Sequence, residues 1–461
     1  MKALRKPLVF NAFSMNSVGH INHGLWTHPR DRSADYRKLD YWTDLARTLE
    51  RGLFDGLFIA DIVGAYDTYG QSADLTLRES VQLPINDPML IVPPMAAVTR
   101  HLGFGVTVNL SYEAPYLLAR RFSTLDHLTE GRVGWNIVTG YLDSAARAMG
   151  RADQIAHDER YDRADEYLEV LYKLWEGSWE DGAVRRDKAG RVYADPARVH
   201  RIRHAGRYFN VEGYHLAEPS PQRTPVLFQA GSSGRGLRFA ARHAECVFVA
   251  IQDRDATRAL VRQLHEALTR AGRAPQDVRV LMGVTVVTGK TAAQAREKYE
   301  DYRRHASAEA GVAHLSATAG IDFSRYGPDT PIVQQQGSNG IQNAILRLSG
   351  GRPDYTLAQL FDELALGGRY VTLVGDPQQI ADQLEDWANT TGIDGFNLAR
   401  TVVPESFEDF VDLVVPVLQE RGLYRRAYGE GSLRHRLFDA GDRLPAGHVG
   451  AGYRAGALAT P

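Results

Sequence analysis

The stretch "GRVGWNIVTG", residues 131–140, reads as a strand buried on both faces, because Val133, Trp135, Ile137 and Val138 are large and apolar. Asn136 and Thr139 nevertheless bring an amide and a hydroxyl into it. Such groups either satisfy nearby backbone or point at something the protein holds. Other strand ends repeat the pattern: Asp61 follows "FDGLFIA" and Thr107 closes "GFGVTV". Mostly neutral hydrogen-bonding groups suit the edge of an uncharged heteroaromatic ring better than a metal ion. For Asp61 the plain alternative is a cap on the loop that follows.

A second constellation follows the run "PVLFQA". In "QAGSSGRGLRFAARHAE", Gly231, Gly234 and Gly236 let backbone amides approach a ligand, and Ser232 and Ser233 add hydroxyls before a helix. A strand, a Gly/Ser turn and a helix N-terminus form an anion site. His157 and Tyr161, spaced i, i+4, share one face at the start of "HDERYDRADEYLEV" and could clasp the same phosphate. The competing reading is a solvated surface helix. His20, His23 and His28 lie close together, but no H-x-x-x-H or carboxylate motif partners them, so no metal is expected. His20, nearest the first strand, could instead donate a hydrogen bond inside a pocket. No G-x-S-x-G elbow is present. Phosphate donors and ring-edge donors without nucleophile, metal or nicotinamide fingerprint fit flavin mononucleotide (FMN), whose chemistry belongs to the cofactor.

These residues need elements to position them. Strand-like runs occur at 8–13, 54–60, 103–108, 132–138, 225–230, 246–250, 278–287 and 395–400. Amphipathic stretches such as 35–52, 114–131, 158–177 and 405–422 separate several of them. Eight strands with intervening helices predict a (β/α)8 TIM barrel, of class α/β, since no strand alternates strictly with polar residues. A doubly wound sheet is the alternative, but G-x-G-x-x-G after the first strand is missing. A single barrel domain is expected over 1–430, with insertions at about 178–224 and 305–375 over the C-terminal mouth. Residues 431–461, rich in Gly and Ala towards the end, are expected to be an arm that buries little.

Bulk properties exclude other classes. The net charge of −2 across 461 residues favours neither nucleic acid nor an anionic membrane. No apolar run approaches the ~18 residues of a membrane span, and the N-terminal run is too short for a signal peptide. The single cysteine, Cys246, excludes an internal disulfide; a reduced, cytoplasmic protein is expected.

Beyond these readings, "GRVGWNIVTG", "HDERYDRADEYLEV", "PSPQRTPVLFQAGSSGRG" and "FAARHAECVF" resemble the bacterial-luciferase-like flavin monooxygenases of the nitrilotriacetate monooxygenase group, which includes dibenzothiophene-sulfone and long-chain alkane monooxygenases. The resemblance runs from about residue 8 to 425, and "NAFSMNSVGHINHGLWTHP", "VQLPINDPML", "YLEVLYKLWEGSWED" and "GIDGFNL" look nearest the alkane branch. It implies a barrel with reduced FMN at its C-terminal mouth, oxygen transfer through a flavin C4a-peroxide, and a separate NAD(P)H:flavin reductase as partner, which accounts for the missing nicotinamide fingerprint. Asp61, Thr107, Asn136, His157, Tyr161, Ala230 and Ser233 fall on flavin-binding positions of that family, and His20, Tyr66, Gln82 and His314 on catalytic-pocket positions. The phosphate would then lie between the Tyr161 helix and the loop after the fifth strand, not after strands seven and eight. Ser17 stands where the alkane branch has cysteine and Tyr141 where it has histidine. Family members associate, so a homodimer or homotetramer is expected. "VGAYDTY", "VQLPINDPML" and "DFSRYGPDTPIV" offer few cations, which favours a largely apolar organic substrate. The alternatives are a deazaflavin-dependent oxidoreductase of the same superfamily and a catalytically inactive flavin-binding barrel.

Overall fold

A computed structural model describes residues 7–231, 233–332, 352, 354–368 and 370–454. The eight apolar runs form the eight strands of a closed parallel barrel: β1 Val9–Met15, β2 Gly56–Ala60, β3 Gly103–Asn109, β4 Val133–Val138, β5 Val226–Gln229, β6 Cys246–Val249, β7 Arg279–Thr288 and β8 Gly395–Ala399. Each pairs with its sequence neighbours, and β8 closes on β1 with Val9 opposite Gly395. A further parallel strand, Val371–Gly375, lies on the outer half of β7, from Val284 to Thr288.

Inward positions of the strands carry an aromatic layer. Phe13 packs on Phe58 and Phe248 at ring separations of 5.4 and 5.1 Å, and Phe58 packs on Phe228 at 5.5 Å. Glycine makes room for it: a Cβ on Gly134 would sit 2.6 Å from Phe228 Cε2, and one on Gly283 2.6 Å from Tyr370 Cδ1. Edge-to-face packing of this kind adds about 0.5–1.5 kcal/mol per pair beyond burial alone. The result is an apolar floor beneath the mouth.

The predicted helices are present. Residues 35–52 give Leu39–Arg51, 114–131 give Pro115–Leu128, and 158–177 give His157–Tyr172 with a wider turn at Lys173–Gly177. The stretch 405–422 is interrupted by a wide turn, Phe410–Val414, next to Pro416, which lacks an N–H and crowds the preceding turn.

Two expectations require correction. Of the insertion at 305–375, the helix Ala308–Ala319 does lie at the mouth, against the loop that follows β1. The insertion at 178–224 does not. It joins a helix end to the N-terminal end of β5 and runs along the barrel flank, outside the helices. There its hairpins, Ile202–Ala205 with Asn210–Gly213 and Val184–Asp187 with Val192–Ala194, accompany the outer helices. Tyr116 Oη donates to the Tyr214 carbonyl (2.8 Å), and the Gln222 amide to the Val133 carbonyl (2.8 Å).

The tail is the second correction. Residues 455–461 lie outside the described residues, but 431–454 bury a great deal. The helix Leu433–Phe438 closes the N-terminal end of the barrel, with Leu433 and Leu437 packed among Val9, Val226, Cys246 and Leu281. Arg434, only 1% exposed, meets Glu245 through two hydrogen bonds of 2.6 and 2.9 Å. It also donates to the carbonyls of Thr224 (2.9 Å), Pro225 (3.1 Å) and Asp442 (2.8 Å). Average composition hid two leucines and an arginine at helical spacing.

Candidate active site

Strand register assembles the first cluster. Thr107 and Asn136 are cross-strand partners in β3 and β4, and Asn136 Nδ2 donates to Thr107 Oγ1 at 2.8 Å. Trp135, on the opposite face, donates its indole N–H to the Val108 carbonyl at 3.1 Å. Alternation along β4 therefore turns the amide inward, where Asn136 Oδ1 is buried without a partner. One strand further, Gln229 ends β5 with its Oε1 in the same condition. Buried orphan acceptors are uncommon, and two at neighbouring strand ends mark a place where a donor-bearing ligand belongs. Gln229 was missed in the sequence, although a polar residue ending a barrel strand was the signal already used for Asn136.

Asp61 follows β2. Burial, with the Asp87 carboxylate as second cause, raises its pKa from the ordinary 3.8 to about 7. A carboxyl near neutrality at a strand's C-terminal end can hold or release a proton at working pH. Ala230, just past β5, is exposed at the mouth.

The residues read as an anion cradle come together. The helix His157–Tyr172 begins beside the turn after β5, and His157 Nε2 lies 3.4 Å from Ser233 Oγ. Ser233 caps the helix Gly234–His243 by accepting the Gly236 N–H at 3.0 Å. Tyr161 reaches between them, in hydrogen-bonding contact with Gln229 and Ser233, with the Arg235 guanidinium 5.5 Å from its ring centre. A Cβ on Gly231 would lie 2.5 Å from the Tyr161 hydroxyl and 2.2 Å from Gln229 Nε2, so only glycine leaves this cradle open. Ser232 lies outside the described residues.

The remaining expected residues form a second cluster around Tyr66 and His314, with His20 apart from it. Tyr66 Oη donates to Gln82 Oε1 at 2.8 Å and is 3.3 Å from the Tyr141 hydroxyl. Its ring stacks on His314, centres 4.8 Å apart. His314 Nδ1 is 3.2 Å from His23 Nε2. Gln82 adopts a left-handed φ of 57°, a conformation side chains seldom take. His20 is buried edge-on to Phe13 at 4.5 Å; burial first, then the charge of Arg400, hold its pKa well below the usual value, so it is neutral. Arg400 itself donates to the carbonyls of Ser17 (2.8 Å) and Val18 (2.7 Å) and to the Tyr41 hydroxyl (3.2 Å). Ser17 donates to the Gly19 carbonyl at 2.7 Å. Within the histidine-rich stretch, sequence alone offers His23 only as a metal candidate.

Among the described residues, His28, Asp301 and His305 come close enough to resemble a metal site. Their hydrogen bonds assign another role. His28 Nδ1 accepts the Arg30 N–H (3.2 Å), so Nε2 carries the ring proton and donates to Asp301 Oδ2 (3.0 Å). Arg30 and Arg304 also pair with Asp301. The cluster ties the loop after β1 to the helix Ala292–His305.

A profile for "Luciferase-like monooxygenase" matches residues 21–395. The chain belongs to this family. Luciferase-like monooxygenases of known activity resemble it over nearly all its length. A dimethyl-sulfide monooxygenase of Hyphomicrobium sulfonivorans is 47% identical, over 98% of this chain and 94% of that one. A long-chain alkane monooxygenase of Geobacillus thermodenitrificans is 48% identical, over 98% and 99%. A crystal structure of a long-chain alkane monooxygenase superposes with a TM-score of 0.91 at 47% identity, covering 97% of this chain and all of that one. The luciferase-like assignment makes the protein an oxygen-using enzyme on a TIM barrel. Among the described residues, no helix is long and apolar enough to cross a membrane.

Proposed function

We propose that the protein is the oxygenase component of a two-component system, taking reduced FMN from a separate NAD(P)H:flavin reductase and using O2 to oxygenate a largely apolar organic molecule. The observation that carries this is the pairing of an anion cradle with orphaned amide oxygens on neighbouring strand ends. The residues fit the flavin: Asn136 Oδ1 and Gln229 Oε1 are buried acceptors awaiting ring N–H groups, and Gly231 keeps the cradle clear. Ser233, Tyr161 and His157 would hold the phosphate; Asp61, Thr107, Asn136 and Ala230 would border the ring. When bound, reduced flavin supplies the electrons that activate oxygen.

The chain's own residues do the rest. The aromatic floor excludes water, which keeps the oxidant from being lost to solvent. His20, neutral in its buried position, and His314 offer hydrogen bonds, and Tyr66 with Gln82 fixes the wall against which substrate rests. Arg400, whose charge acts on His20, is tied by hydrogen bonds to Ser17, Val18 and Tyr41, which suits an apolar substrate better than a polycarboxylate. We expect a homodimer or homotetramer in the cytoplasm.

The experiment is a coupled assay with a reductase that releases reduced FMN, offering dimethyl sulfide, linear alkanes, aromatic sulfones and aminopolycarboxylates. Product from any of the first three supports the reading. Product only from aminopolycarboxylates refutes the apolar pocket, and activity only with reduced deazaflavin refutes the cofactor.

A further inference from the structure

We propose that His23 is a positioning residue that fixes His314 as the tautomer protonated on Nε2. The catalytic consequence rests on the proposed reading of the mouth; the tautomer itself does not.

The ring nitrogens decide the tautomer. His23 Nε2 and His314 Nδ1 are 3.2 Å apart, so one proton lies between them. His23 Nδ1 is buried and has no partner. If that atom bore the proton, a buried N–H donor would be left unpaired, which costs more than leaving a lone pair unmet. His23 therefore carries its proton on Nε2 and donates it to His314 Nδ1. Double protonation of His23 is suppressed, because burial and then the charge of Arg400 lower its pKa to about 3. With Nδ1 accepting, neutral His314 must carry its own proton on Nε2.

The framework makes this contact rigid. The His23 carbonyl accepts the Ser307 N–H at 2.9 Å, and Ser307 caps the helix Ala308–Ala319 that carries His314. Gly24, at φ 85°, lets the two chains approach so closely that a Cβ there would lie 2.5 Å from the Ser307 nitrogen. Asn22 adds a second clasp, accepting the Gly367 N–H (2.6 Å) and donating to the Arg400 carbonyl (2.8 Å). Tyr66, stacked on the His314 ring, holds its plane. Any hydrogen bond His314 donates then comes from Nε2, the orientation set from behind by His23.

The test uses 15N-labelled histidine in the flavin-free protein, with His314 resonances identified by their loss in His314→Phe. Wild type should show a bare Nδ1 and a protonated Nε2 for His314. In His23→Met, which removes the donor at similar volume, the Nδ1 signal should shift toward the protonated position as both tautomers populate. His23→Gln, whose amide can donate from the same place, should restore the wild-type pattern. In the coupled assay, His23→Met should lower product per NADH roughly fivefold, the factor carried by one neutral hydrogen bond, with the KM for reduced FMN unchanged, and His23→Gln should recover it. A protonated Nδ1 in wild-type His314, or a His23→Met spectrum identical to wild type, overturns the proposal. If His23→Met does not fold, the wild-type spectrum still decides. Absence of oxygenation by the wild type would count against the functional reading alone, since the tautomer is read without flavin.

Discussion

Ser233→Asp separates two jobs performed by one hydroxyl. Ser233 Oγ caps the helix Gly234–His243 through the Gly236 N–H at 3.0 Å, and it borders the proposed phosphate position beside His157. Alanine would remove both, and the lost cap alone costs about 1 kcal/mol. Aspartate caps as well as serine but places a negative charge against the phosphate. Two unit charges 4 Å apart repel by about 4 kcal/mol at an effective dielectric of ~20. Ser233 is partly exposed, so solvent and salt reduce this to about 2–4 kcal/mol. Affinity for reduced FMN should fall roughly thirty- to several-hundredfold. Reduced riboflavin, which lacks the phosphate, should bind wild type and variant alike, and the melting temperature should not fall. Anaerobic titration of both ligands, with a thermal melt of the flavin-free protein, reads all three quantities. Undiminished FMN binding, or equal loss for both flavins, would refute the phosphate position.

Four further outcomes are expected. Asp61, with its pKa raised from 3.8 to about 7, burdens the fold increasingly as pH rises through that interval; Asp61→Asn should stabilise the flavin-free protein by up to about 4 kcal/mol at pH 8 and by little near pH 4, read by denaturant melts at both. Arg434→Met strands the Glu245 carboxylate in the barrel floor and should cost about 3–5 kcal/mol in unfolding free energy, most of it recovered when Glu245→Gln is added. The purified protein should not oxidise NADH at a catalytic rate, and an added flavin reductase should start turnover; NADH consumption by the protein alone would contradict the two-component reading. His314→Phe should raise hydrogen peroxide released per NADH while leaving reduced-FMN affinity nearly unchanged, and unaltered coupling would remove His314 from the oxygenation step.

The barrel was legible because a parallel strand with both faces covered reads as a continuous apolar run, and all eight such runs became strands with ends shifted by only a residue or two. The strand Val371–Gly375 escaped because it lay in a stretch with no clear period, although "VTLVGDP" carries a strand run followed by the Asp376 cap of the helix Pro377–Thr391. Candidate residues at strand ends stood out in the sequence for the same reason that Asn136 did: a polar group interrupting hydrocarbon needs a purpose. His23 was not, because its role depends on an imidazole 291 positions away that only the folded chain brings near. The insertion at 178–224 was misplaced because composition reveals a loop but not the end of the barrel from which it leaves. Chain direction, helix end to strand start, held that answer.

Closure of the barrel floor by Leu433–Phe438 also bears on how the protein matures and fails. All eight strands precede this helix in the chain, so a growing polypeptide has every residue of the mouth before it has the plug beneath them. Until the plug arrives, Val9, Val226 and Leu281 face water and Glu245 lacks its guanidinium. Newly made chains should therefore depend on chaperone shelter late in synthesis. The exposed link at Glu430 and Gly431 is correspondingly a point where one proteolytic nick could disable the enzyme from the far end, with every residue of the proposed flavin site still in place.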